Sequence, residues 1–246
     1  MNGHLEKTAV SAPLSRLHWL LSVQTAVILF GSLNRLGSWT LDYVAANAFL
    51  RWVDFHNMLT LPLISVTAFY LLKLEIERGE RRSNGRLPLL LNLTFIIGLY
   101  LFAASYGSHE TTNYLHARFC PAGDTTDLCR IVIFNDDDFS HWLFFAGFVL
   151  INGALMLLQV VFPIRDAVGW RDTAVLTLNG LFVALGIFAN LGFEAIGLDL
   201  VVVLGLAVLS GWLLWRNGRQ PLLVYYAVAY GVGLVLTAVY RLVVSA

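Results

Sequence analysis

Apolar runs of about 20 residues, separated by short clusters of charge, recur seven times along the chain, at 17–36, 58–74, 87–106, 141–162, 173–193, 198–215 and 221–239. That length in helical form matches a bilayer core of roughly 30 Å. Each run is apolar around its whole circumference rather than alternating at period two, which predicts a bundle of membrane-spanning helices and disfavours a barrel. The first run follows only Lys7 and Arg16 and leads to no small-x-small cleavage site, so it is expected to stay as a span. Between the first two runs, Leu41, Val44, Ala45, Ala48, Phe49 and Trp52 recur at helical spacing against Asp42, Asn47 and Arg51. This pattern predicts a helix over 39–53 lying in the outer interface, anchored by Trp39, Tyr43 and Trp52.

Composition narrows the class further. Hydrophobic residues make up 58% of the 246 and charged residues 13%, against about 45–50% and about 25% in soluble domains. An ordinary soluble enzyme, a disordered chain, a collagen and a disulfide-stapled miniprotein are all excluded. No internal repeat or low-complexity linker divides the chain. The expected fold is therefore all-α: one polytopic integral membrane domain over residues 1–246, with no nucleic-acid partner.

The 16 basic and 16 acidic residues cancel overall but not along the chain. With the N-terminus inside, eleven basic residues (Lys7, Arg16, Lys73, Arg78, Arg81, Arg82, Arg86, Arg165, Arg171, Arg216, Arg219) and six acidic ones lie inside, a balance of +5. Arg35, Arg51, Arg118, Arg130 and Arg241 lie outside with ten acidic residues, a balance of −5. Positive charge is retained on the cytoplasmic side, so the pattern predicts N-in, C-out in a cell membrane. Cys120 and Cys129 then share an outer loop with Pro121 and Gly123 between them, where a disulfide is expected and contributes about 3 kcal/mol by loop closure.

Span centres carry Gln24, Asn92, Asn152 and Asn179 but no ionisable group, unlike most pumps and ion-coupled transporters. The seventh span has no lysine for a retinal Schiff base. Ionisable residues gather instead at the outer helix ends: Asp54 and His56 before span two; Ser105, His109 and Glu110 closing span three; His116 in the following loop; Asp136, Asp137, Asp138 and His141 opening span four. Three imidazoles with water in a fourth position make a zinc site that lowers the water pKa towards about 7. His56, His109 and His141 are the expected ligands, Glu110 or Asp138 the general base, and Asp54, Ser105 and His116 supporting groups around them. Asp136 to Asp138 otherwise read as a solvated acidic run with at most one member in a site. His109-Glu110 opens a zincin-like pattern, but Asn113 stands where the second histidine belongs. His116 lies roughly 10 Å further along an unbroken helix, too far to share an ion with His109 unless span three ends between them.

Seven spans together with Ser-x-x-x-His at Ser105 and His109 resemble the membrane-hydrolase group of alkaline ceramidases and adiponectin-type receptors. That group adds an Asp and a late His-x-x-x-His in its last span, whereas no histidine follows His141 here. The resemblance implies metal-dependent hydrolysis in the membrane and covers five residues, of which two match.

The leading expectation is a metal-dependent enzyme, with zinc the expected divalent ion, at the extracytoplasmic face that hydrolyses a lipid or lipid-linked substrate. The same imidazoles and carboxylates serve haem, copper or di-iron with quinone or lipid as substrate, which keeps a membrane oxidoreductase as the alternative. A non-enzymatic subunit or receptor, as a homo-oligomer or in a membrane complex, is the third.

Overall fold

The computed structural model describes residues 14–78, 85–164, 168–193 and 197–244. Glu6, Lys7, Glu80, Arg81, Arg82, Arg165, Asp166 and Glu194 of the charge pattern lie outside these. Each apolar run is a helix: α1 Ser15–Leu36, α2 Trp52–Glu77, α3 Arg86–Phe119, α4 Asp127–Val161, α5 Trp170–Phe193, α6 Leu198–Asn217 and α7 Pro221–Val244. Among the described residues the chain is all-helical apart from loops and one isolated bridge, and all seven helices are long and apolar enough to cross a membrane.

Three helices overrun the apolar segments that predicted them, all at the same end of the bundle. α2 starts at Trp52 rather than Met58, α3 continues past Tyr106 to Phe119, and α4 starts at Asp127, well before His141. Hydropathy marks where apolar side chains stop, whereas a helix continues while its backbone bonds are made and its polar side chains find partners. Thr126 caps the early start of α4 by accepting from the Cys129 amide. His116 is accordingly helical and not in a loop. Two stretches widen into π-type turns, His56–Thr60 in α2 and Phe134–Phe139 in α4. The first directly precedes Pro62, whose ring nitrogen cannot donate to the carbonyl one turn back.

The expected interfacial helix over 39–53 is not formed. Residues 37–51 make a folded loop instead, in which Val44 N–H donates to the Leu50 carbonyl, Trp52 to Asp42 and Val53 to Thr40, with Tyr43 bridged antiparallel to Arg51. At its tip Ala48 has φ 57°, and the Asn47 side chain accepts from Phe49 N–H. The Ala48 carbonyl receives hydrogen bonds from Tyr114 and Arg118 of α3, tertiary contacts that override a helical spacing with no cap of its own.

Small residues set how closely the helices approach. A Cβ on Gly147 of α4 would lie 2.5 Å from Phe102 N and 2.9 Å from the Gly98 carbonyl of α3; one on Gly98 would lie 2.9 Å from Ile151 N. Gly180 of α5 meets the Tyr225 carbonyl of α7 in the same way, at 2.9 Å. Polar residues of the span centres clasp the helices together: Gln24 and Ser65 exchange two hydrogen bonds of 2.8 Å between α1 and α2, and Asn179 of α5 joins Thr25 and Ser22 of α1. The close α3–α4 crossing is what brings the upper turns of α3 opposite the first turns of α4. The Cys120–Cys129 disulfide, with Cα atoms 5.4 Å apart, closes the short loop between them.

Candidate functional site

The end of the bundle where α2, α3 and α4 overrun holds four buried carboxylates, Asp54, Glu110, Asp136 and Asp199. A buried carboxylate needs partners, and each has a different set. Asp54 accepts two hydrogen bonds from Arg51, at 2.7 and 2.8 Å, and this pairing holds the Arg51 guanidinium above its usual pKa. Asp54 is thus occupied by Arg51 rather than orienting an imidazole. Arg51 also lies over the Tyr114 ring, 5.2 Å from its centroid.

Glu110 pairs with Arg35 from the end of α1, accepts from Asn57 at 3.5 Å and lies 3.4 Å from His109 Nδ1. Asn57 in turn accepts from Asn34 at 2.8 Å, and Asn34 accepts from Thr40 at 2.6 Å. A relay of amides therefore links the 37–51 loop to Glu110. Asp199, at the start of α6, accepts from Asn190 of α5 and from the amides of Gly197 and Leu200.

Asp136 differs from the other three. The wide turn over Phe134–Phe139 places its carboxylate, 2% exposed, between two imidazoles of α3. His116 Nδ1 lies 3.0 Å from Oδ2, while His109 Nε2 stands 3.9 Å from Oδ1, which has no hydrogen-bond partner. His109 and His116 sit two turns apart on one unbroken helix, as the spacing anticipated, yet one carboxylate reaches towards both. Among the described residues, His116, Asp136 and Asp137 form the one group of three metal-ligating side chains whose donor atoms all lie within 4.8 Å of one another.

The remaining expected residues fall around this group. His109 stacks on His141 with centroids 5.2 Å apart and planes within 16°. His56 faces the other way: its Nδ1 is 3.1 Å from Thr60 Oγ1 and its ring stacks on Trp52 at 5.6 Å. The structure therefore brings His109 and His141 together and leaves His56 apart. Ser105 is buried and donates to the Phe102 carbonyl at 2.7 Å. Asp137 and Asp138 are exposed and, with Arg35, His109, Glu110 and His141, line a vestibule of about 720 Å³.

Arg35, Asn57 and Asp136 escaped the sequence reading as site residues. Arg35 was one of few basic residues on the acidic side, a hint of a specific partner. Asp136 looked identical to its two neighbours, and only the wide turn distinguishes it. Compared with protein-family models, curated proteins and solved structures, the chain matches none, so the chemistry of this end of the bundle rests on its geometry alone.

Proposed function

We propose that the chain is a seven-span membrane protein, N-in and C-out, that holds a divalent metal ion with His116, Asp136 and Asp137 at its extracytoplasmic end and uses it to hydrolyse a lipid or lipid-linked substrate. The observation that carries this reading is the buried Asp136 carboxylate, set between His116 and His109 with one oxygen unpartnered. One imidazole with two carboxylates offers ligands for zinc, iron(II) or manganese(II), and its members lie together, whereas His56 of the set His56, His109 and His141 packs on Trp52. Such an ion supplies Lewis acidity and lowers the pKa of water. Asp137 belongs both to the ligand group and to the vestibule wall, so the ion borders the space a substrate head would occupy. His109 and His141 line the same wall and are the groups placed to take a proton from the attacking water and return it to the leaving group. Glu110 is engaged by Arg35 and serves to fix Arg35 and Asn57. Orientation is supported by the charge asymmetry and by the disulfide, which persists in oxidising compartments.

Metal analysis of the purified protein tests the reading. Stoichiometric metal is expected in the wild type and in His56→Ala, with most of it lost in His116→Ala. A metal-free wild type, or an unaffected His116→Ala, overturns it.

A further inference from the structure

Beneath the vestibule lies a second cavity of about 380 Å³ in the middle of the bundle. Arg35, Tyr106, Phe144, Phe145, Asn190 and Asp199 line both spaces, so the two adjoin across these side chains. Below that shared neck the wall turns apolar, with Ile28, Leu61, Phe69, Phe102, Phe148 and Val203. Its amides are already satisfied by the protein: Gln24 by Ser65, and Asn152 by the Phe148 carbonyl at 2.7 Å. The hydroxyl of Tyr226, buried on this wall, has no partner. Protein interiors are close-packed, and voids larger than a water molecule are few. A chamber of this size, apolar, adjoining a polar vestibule and carrying an unmet hydroxyl, has the shape of a site for a molecule with a tail and a head.

We infer that the chamber binds the hydrocarbon tail of a single-chain amphiphile whose head occupies the vestibule, and that the head is uncharged or cationic. The charge preference follows from the vestibule wall: with Asp136 and Asp137 balancing the charge of a divalent ion, Glu110, Asp138 and Asp199 still face the single guanidinium of Arg35. An anionic head would meet three carboxylates not balanced by the ion and a guanidinium already paired with Glu110. An amine or hydroxyl head donates hydrogen bonds to the carboxylates and is drawn in by their field. This names the substrate class of the site proposed above and rests on that reading for the chemistry, while the binding itself stands on the two cavities.

The probes are dodecylamine, dodecanol and dodecanoate, which share one tail and differ in head charge. Equilibrium binding is measured on the protein in phosphatidylcholine nanodiscs, with empty nanodiscs subtracted and metal content followed in parallel. Gly31 lines the chamber, and a Cβ there would make only an ordinary 3.6 Å contact with Leu61, so Gly31→Phe fills the space with little demand on the backbone. Saturable binding of dodecylamine and dodecanol is expected, about tenfold or more tighter than dodecanoate. Gly31→Phe should weaken it by about tenfold or more while keeping wild-type metal content. Should Gly31→Phe lose its fold, Val202→Trp fills the same chamber and is read in the same way. Equal binding by a filled variant, or no saturable binding in a wild type that retains metal, overturns the inference and leaves the metal reading standing. Dodecanoate binding as tightly as dodecylamine overturns the head-charge assignment. Tail binding by a protein without metal sinks the metal reading instead and leaves the amphiphile site.

Discussion

The two ends of the bundle treat their charges differently. At the end holding the N-terminus of α1, the ion pairs Lys73–Glu77 and Glu75–Arg78 join residues one helical turn apart. The helix itself supplies their spacing, although Glu77 also accepts from Asn92 of α3. His18–Asp172, between α1 and α5, is the long-range exception there. At the opposite end the contacts Arg35–Glu110, His116–Asp136 and Asn57–Glu110 join different helices, while Arg51–Asp54 and Asp127–Arg130, each three residues apart, are the local pairs there. The carboxylates of the contacts between helices are buried, and those contacts exist only once the bundle has assembled. Burying a carboxylate is unfavourable unless its partners are placed well, and an end that buries four therefore depends on how its helices are packed.

The largest expected effect at the buried end is Asp136→Asn. The amide keeps the shape of the carboxylate but loses its charge, and metal affinity should fall about 100-fold or more, as for loss of a ligand. In the absence of metal the same variant should be as stable as the wild type or more so, because a buried charge has been removed. Metal titration and chemical unfolding of the metal-free protein read the two signs separately. A variant that is less stable without metal and unchanged in metal content would make Asp136 a structural hydrogen-bond acceptor only.

Arg35→Ala comes next. It strands the Glu110 carboxylate, which is 4% exposed, whereas the Arg35 side chain is 49% exposed and partly solvated. Loss of a buried partner costs about 3–5 kcal/mol, and solvent around Arg35 reduces this to about 2. Glu110→Gln keeps an acceptor for Arg35 and for Asn57 and should cost about half as much. The double variant should recover part of the Arg35→Ala loss in a double-mutant cycle on unfolding. Strictly additive losses would mean that the two side chains do not depend on each other.

Gly147→Ala links the ends to the middle of the bundle. Its Cβ would fall within 2.5 Å of backbone in α3, and separating the helices should cost about 1–3 kcal/mol. Because this crossing sets His109 and His116 opposite Asp136 and His141, metal affinity should fall with stability. Gly153→Ala, where the added carbon meets nothing within 4 Å, is the matched control.

The same contrast explains what the sequence made legible. Seven helices, their order and the disulfide follow from hydropathy and cysteine placement, signals contained in short stretches of chain. His109 and His141 were recognisable because imidazoles at helix ends are chemically conspicuous. The burial of Asp136 while Asp137 and Asp138 stay exposed depends on the π-type turn over Phe134–Phe139, and the 37–51 loop depends on hydrogen bonds to Ala48 from a helix more than sixty residues away. Local periodicity carries neither. His56 shows the converse limit, since like His109 it stands beside a carboxylate in sequence while its ring packs on Trp52.

The smallest effect should come from Lys73→Ala at the other end. Lys73 Nζ lies 2.8 Å from Glu77 Oε2, but the lysine precedes the glutamate, the less favourable order along a helix, and Glu77 also accepts from Asn92 at 3.0 Å. Glu77 therefore keeps a partner when Lys73 is removed, and the cost should be about 0.5 kcal/mol. Raising the salt concentration should change this only slightly, because the two side chains are 12% and 22% exposed and a partly buried pair is screened less than a solvated one. Unfolding in detergent micelles at low and high salt measures both quantities, with Arg35→Ala run alongside. A loss for Lys73→Ala as large as that for Arg35→Ala would show that the local pairs are as structurally demanding as the buried ones. The concentration of buried carboxylates at the vestibule end would then no longer single that end out.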